Sequence, residues 1–206
     1  ILVDPHPVVR QGLHALLADA ADLRVVGEAD SAHSALATSR QRAWDVIALE
    51  LALPDRDGYE LIRQLRAERP RAAILVFAAQ PAALFAVRAV RAGATGCLDK
   101  RADAPEILTA LRALVAGRKY FSAEAAQALA AEVGGENSER PHETLSHREF
   151  QTLRLLASGQ TVTAAAEKLA LSVKTVSMYR ARLLAKMGMK TNAELTHYAI
   201  RNGLVD

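Results

Sequence analysis

The chain has 206 residues, half of them apolar, a single cysteine and a formal net charge of +3. That is enough for one core of about 120 residues and a second of about 60. It carries no apolar run near the roughly 20 residues that cross a bilayer, which excludes a membrane-spanning class. Cys97 has no partner for an internal disulfide, and no signal peptide is visible, so a reducing cytoplasm is expected.

From the start, short apolar runs alternate with longer helical patterns. The runs are Ile1–Val3, Arg24–Gly27, Val46–Leu51, Ile74–Ala78 and Gly96–Leu98, and helices are predicted near 8–20, 31–42, 58–69, 82–92 and 103–116. Five βα units in series predict a doubly wound, five-stranded parallel sheet over residues 1–117, an α/β fold. Such folds build sites at the C-terminal ends of their strands. Asp4, Glu50, Ala78 and Lys100 fall at or just past four of those ends and are expected on one rim.

Residues 118–143 read as a linker: a short amphipathic helix at most over 118–133, then the polar stretch GGENSERPHE over 134–143. The composition predicts two domains free to move relative to each other.

The second domain, 144–206, is predicted all-helical. Ser146 and Glu149 form an S-x-x-E capping box ahead of Phe150, Leu153 and Leu156, with Gly159 as the stop. A short helix from about Val162 to Ala170, the turn Ala170-Leu171-Ser172 and a helix from Ser172 follow, the order of a helix-turn-helix. Thr191 and Glu194 open a last helix ending at Gly203. In the helix after Ser172, Val173, Val176, Leu183, Leu184 and Met187 are expected to face the core. Lys174, Ser177, Met178, Ala181 and Ala185 face away, with Arg180 and Arg182 flanking.

That outward face holds cations and short side chains and no carboxylate. Lysine plus arginine against aspartate plus glutamate runs 14 against 14 over residues 1–117, 3 against 5 over 118–143, and 9 against 4 over 144–206. A surplus confined to one small module is the footprint of a nucleic-acid-binding domain.

With these segments in place, the chain resembles the NarL/FixJ-type response regulators: a flavodoxin-like receiver joined to a LuxR-type helix-turn-helix. DPHPVVRQGLHALL, LALPDRDGYELI, AVRAGATGCLDK, LSHREFQTLRLLASG and LSVKTVSMYRARLLAKMG carry the resemblance in order. QPAALFA and KTVSMYRARLL are similar to the BvgA-type subgroup. The resemblance implies a cytoplasmic transcription regulator that binds double-stranded DNA as a homodimer, through the receiver or the last helix, with a sensor kinase or another regulator protein as a possible partner.

In the family, two acids after the first strand help hold Mg²⁺, an Asp ending the third strand accepts a phosphoryl group, a hydroxyl residue follows the fourth and a Lys the fifth. Here Asp4 and Lys100 match, but Pro5 replaces the second acid, Glu50 the phosphoacceptor, Ala78 the hydroxyl residue and Cys97 the aromatic switch residue. These departures predict a degenerate receiver that does not use ordinary Mg²⁺-dependent phosphorylation. Glu50 is either a mimic of the phosphorylated state, reaching toward Lys100, or a polar remnant paired with it for charge balance.

Lys174, Tyr179, Arg180, Arg182 and Lys186, with Thr175 beside them, are the expected DNA-backbone contacts. Ser177, Met178 and Ala181 match family positions that reach base edges, although the Lys often found at the first is absent; specificity is then expected from Arg180, Arg182 and DNA shape. In the preceding helix, Val162, Ala164 and Ala165 replace the family's usual Asn, Glu and Ile, which predicts looser packing. Cys97 reads as a buried hydrophobe rather than a redox sensor. Asp55 and Asp57 read as turn residues, and the six histidines show no metal-ligand spacing. No nucleophile–base pair or cofactor loop is present, so no enzyme, cofactor or metal site is expected. The competing function is a protein-interaction module whose pseudo-receiver modulates another regulator.

Overall fold

The computed structural model describes residues 1–133 and 141–205. The chain divides into two compact units, residues 1–137 and 138–206.

The first unit is a parallel sheet with helices on both faces. Its strands are β1 (Leu2–Val3), β2 (Glu28–Ala29), β3 (Val46–Leu49), β4 (Ala73–Ala78), β5 (Gly96–Asp99) and β6 (Tyr120–Phe121), in the spatial order β2-β1-β3-β4-β5-β6. Its helices are α1 (Pro7–Ala18), α2 (Ala32–Gln41), α3 (Gly58–Glu68), α4 (Ala86–Ala92), α5 (Ala104–Val115) and α6 (Ala123–Val133). Strand side chains alternate between two cores. Ile47, Leu49, Ile74, Val76 and Cys97 meet α2, α3 and α4, whereas Ala48, Leu75, Phe77 and Leu98 meet α1 and α5. Burial on both faces explains why these strands are apolar throughout instead of alternating with polar residues.

The expected α/β class holds, with three corrections. Six strands replace the predicted five, because β6 pairs with β5, Cys97 opposite Phe121. The second strand lies at Glu28–Ala29 rather than Arg24–Gly27. Val25 and Val26 are half-buried against opposite cores, but on this edge the ladder of β1 registers against Glu28 and Ala29, with the Leu2 N–H donating to the Gly27 carbonyl at 3.0 Å. Apolarity reports burial, and a strand also needs a ladder partner. The helix expected over 82–92 is broken: a 3₁₀ turn at Ala82–Leu84 precedes α4, and Phe85 between them leaves helical geometry at φ −125°, ψ −15° with its ring fully buried.

Residues 118–133 are part of the first unit and not linker. Ala125 of α6 is completely buried with Leu129 beside it, and an Arg91–Glu132 ion pair ties α6 to α4. The flexible linker expected over 134–143 falls largely on residues outside the described ones. Pro141–Thr144 form a 3₁₀ turn.

The second unit holds α7 (His147–Ala157), α8 (Val162–Leu169), α9 (Val173–Met187) and α10 (Asn192–Arg201). Each start is capped by its own sequence: Ser146 accepts from the Glu149 N–H, Thr161 from Ala164, Ser172 from Thr175 and Thr191 from Glu194. The helix-turn-helix bend places Ala170 in the left-handed region at φ 53°, the one non-glycine residue with positive φ among those described. Of the three positions expected to loosen the packing, Ala165 is shut off from solvent with Ala166 against Val176, whereas Val162 and Ala164 are half-buried. Val173, predicted to face the core, is 47% exposed. It occupies the first helical position, and burial begins one residue past the first turn's polar members, at Val176.

Candidate receiver site and nucleic-acid interface

The rim at the C-terminal ends of the strands brings Asp4, Glu50, Ala78 and Lys100 together. Glu50 follows β3, and its position is fixed by the next loop. Gly58 donates its N–H to the Leu51 carbonyl at 3.1 Å, and a Cβ there would lie 2.6 Å from the Leu51 Cα, so only glycine closes this approach. Glu50 is 3% exposed. Its Oε1 accepts from the Leu51 N–H at 2.6 Å and the Ala52 N–H at 3.0 Å; its Oε2 accepts from the Ala79 N–H at 3.2 Å.

The Lys100 ammonium lies between the two buried carboxylates. Its Nζ is 2.8 Å from Glu50 Oε2 and 2.5 Å from Asp4 Oδ2. Asp4 Oδ1 accepts from the His6 N–H at 2.9 Å, and Arg10 donates to the Asp4 carbonyl at 2.6 Å. Every carboxylate oxygen of the pair therefore has a partner. Mg²⁺ takes near-octahedral oxygen ligands at close range; here Pro5 offers no carboxylate beside Asp4, and the Lys100 ammonium stands between the two acids.

Ala78 is buried and contributes only backbone here, its carbonyl accepting from the Lys100 N–H at 2.9 Å. Cys97 is fully enclosed in the core between the sheet and α4, and burial pushes its thiol up to about 12.

Sequence reasoning missed some of the supporting residues. Asp55, read as a turn residue, caps α2 across 23 positions, accepting from the Ala32 and His33 N–H groups at 2.8 and 2.9 Å. Burial opposes ionisation there, but these bonds hold its carboxyl below the usual range. Asp57 caps α3. Nothing in the spacing marks the first of these contacts, since it joins two loops distant in sequence.

In the second unit, the outward stripe of α9 is Lys174, Ser177, Met178, Ala181, Arg182 and Ala185, all exposed. Val176, Leu183, Leu184 and Met187 are buried on the opposite side. Thr175 and Tyr179 are half-buried at the edges. Two predicted backbone contacts are held within the domain. Arg180 is half-buried and donates through Nε to Asn192 Oδ1 at 2.7 Å. Lys186 bonds Glu149 Oε2 at 2.6 Å, which anchors the end of α9 to the capping box of α7. Burial works against the Glu149 carboxylate, but the Lys186 ammonium and Ser146 hold its pKa below the usual range.

A sheet of receiver topology followed by a capped helix-turn-helix with a cationic outer face defines a two-module regulator. The comparisons agree: the response regulator receiver domain family matches residues 1–112, and the family of bacterial regulatory proteins of the luxR type matches residues 143–199. UvrY, a response regulator of Escherichia coli strain K12, is 34% identical over 205 residues, covering 99% of this chain and 94% of UvrY. GacA, a response regulator of Pseudomonas aeruginosa, is 34% identical over 207 residues, covering 100% and 97%. Among solved structures, RcsB of Salmonella enterica serovar Typhimurium, bound to promoter rprA in the presence of a phosphomimetic, is 25% identical with a TM-score of 0.62, covering 96% and 95%. The chain belongs to the response regulators that join a receiver to a luxR-type helix-turn-helix. Among the described residues, no helix is long and apolar enough to cross a membrane.

Proposed function

We propose that this chain is a DNA-binding transcription regulator of the cytoplasm, not an enzyme, whose receiver is set by its own Glu50–Lys100–Asp4 cluster instead of by phosphoryl transfer. One observation carries the receiver reading: both Glu50 oxygens are already bonded, to three backbone N–H groups and an ammonium. In-line attack on a phosphoryl donor needs a free oxygen within about 3–3.5 Å of phosphorus, and neither is free. A buried anion held by Lys100 and the Ala79 N–H also supports reading Glu50 as a built-in substitute for the charged, phosphorylated state.

The DNA reading is supported by the carboxylate-free outer face of α9 and by the relatives. RcsB dimers have been solved on DNA, and a homodimer on a two-fold-related site is the matching arrangement for this chain. Lys174 and Arg182 make phosphate contacts, whereas Lys186 acts chiefly within the domain.

Incubation with acetyl phosphate and Mg²⁺ should add no phosphoryl mass at residue 50, and the untreated protein should shift a subset of genomic fragments in gels. A mass gain there refutes the receiver reading, and equal retention of all fragments refutes specific DNA binding. Lys174→Ala should reduce the slope of log affinity against log salt by about one unit. Glu50→Gln should change DNA affinity or dimerisation; unchanged behaviour ends the substitute-charge idea.

A further inference from the structure

We infer that the first unit binds a small organic polyphosphate, of the nucleoside triphosphate kind, in a cationic groove at the pole opposite Glu50. Every residue involved lies in the receiver, so the site is independent of the DNA reading.

Sheet topology builds the groove. β3, β4, β5 and β6 are neighbours, and the residues just before each strand meet at one end: Trp44 and Asp45 before β3, Arg69 and Arg71 before β4, Thr95 before β5, Arg118 and Lys119 before β6. The groove they border has a volume of about 690 Å³, inside the range of roughly 300–1,000 Å³ typical of small-ligand sites. Leu114 and Val115, at the end of α5, give it an apolar wall.

Its charge is one-sided, with Arg69, Arg71, Arg118 and Lys119 set against Asp45 alone. Elsewhere on this unit, Arg10, Arg40 and Arg112 are neutralised by Glu28, Glu68 and Asp22. Arg71, Arg118 and Lys119 are exposed and form no ion pair among the described residues. A concave surface of one sign with low-dielectric walls focuses the field and concentrates ions of the other sign.

Helix capping does not account for these cations. The last turn of α5 is already closed by backbone, the Gly117 N–H donating to the Leu114 carbonyl at 3.0 Å and the Arg118 N–H to the Ala113 carbonyl at 2.9 Å. Gly117, at φ 73°, makes that turn. The loop of Arg71 is held as firmly, because Arg66 donates to the Pro70 carbonyl at 2.6 Å and the Ala72 N–H to the Arg69 carbonyl at 3.0 Å. The cations stand on fixed backbone, so a ligand has only their side chains to order.

Arg69 separates a nucleotide from a bare anion. It donates to the Ser39 carbonyl at 2.6 Å while its guanidinium lies 4.9 Å from the Trp44 ring centroid. A guanidinium held flat over an indole offers a planar base a stacking surface, and the three cations without carboxylate partners suit a chain of phosphates. An inorganic phosphate uses only the second feature.

The test uses the full chain without DNA. ATP, GTP and pyrophosphate are titrated at low salt, followed by emission of Trp44, the single tryptophan, and by calorimetry. At least one of the nucleotides should saturate both signals and bind more tightly than pyrophosphate. Arg71→Glu and Arg118→Glu should each weaken it about tenfold or more with unchanged circular dichroism, and Arg63→Glu, on the exposed side of α3, should leave it unaltered. Absence of saturable binding overturns the inference, as does indifference to both charge reversals within the groove. Equal affinity for pyrophosphate removes the nucleoside. If a DNA duplex displaces the nucleotide and loses affinity through the same two charge reversals, the groove belongs to the DNA interface and the inference falls.

Discussion

Lys100 carries more of the receiver site than any other side chain, because one ammonium serves two carboxylates that are each almost wholly buried. Removing one member of a buried ionic group strands the charges left behind, at a typical cost of about 3–5 kcal/mol. Lys100→Met should therefore lower unfolding free energy in urea by that order. Adding Glu50→Gln should restore part of the loss, since a neutral amide needs no ammonium; a cycle showing plain additivity would mean that the pair is not coupled. Positions on the rim were legible in the sequence because strand ends are marked by where apolar runs stop. The sharing of Lys100 by Asp4 was not, because side-chain reach across three strands leaves no trace in spacing. Arg180 and Lys186 show the same gap: their helical positions could be read, but Asn192 and Glu149, lying 12 and 37 residues away, decide where their charge goes.

Among the elements, α7 shows how a cap can become a joint. The box Ser146–Glu149 was evident from its residues, yet Glu149 also receives Lys186 from the last turn of α9, so one carboxylate starts one helix and holds another. Its folded pKa lies below the ordinary value of 4.5. The deprotonated form is thus favoured by folding, and the stability it contributes is fully present above that value and lost as pH falls through the lower folded one. The second unit should weaken on acidification below about pH 4.5. Glu149→Gln should be less stable at neutral pH and should show less of that acid-dependent slope in thermal melts followed by circular dichroism; an unaltered slope would place the acid sensitivity in other groups. Strong periodicity made α1, α3, α5 and α7–α10 readable. β6 and the break at Phe85 were hidden, the first by having only two paired residues, the second because a buried aromatic reads equally well inside a helix.

For the whole molecule, the boundary between units was harder to read than either fold, since composition placed α6 in the linker while burial of Ala125 and Leu129 assigns it to the first core. Each unit has its own apolar interior, the condition under which domains unfold as separate cooperative transitions. The single tryptophan, Trp44, lies in the first unit, half-buried beneath the Arg69 guanidinium at 4.9 Å with its indole N–H donating to the Ser39 carbonyl. Its fluorescence therefore reports the receiver alone, whereas far-ultraviolet circular dichroism reports helices of both units. Leu153 is fully buried in α7, and Leu153→Ala should cost about 2–5 kcal/mol in the second unit through lost contacts and a residual cavity. In urea, that variant should move the midpoint of a circular dichroism transition and leave the tryptophan midpoint in place. If both signals shift together, the units fold as one cooperative body, and the receiver has a direct energetic hold on the helix-turn-helix.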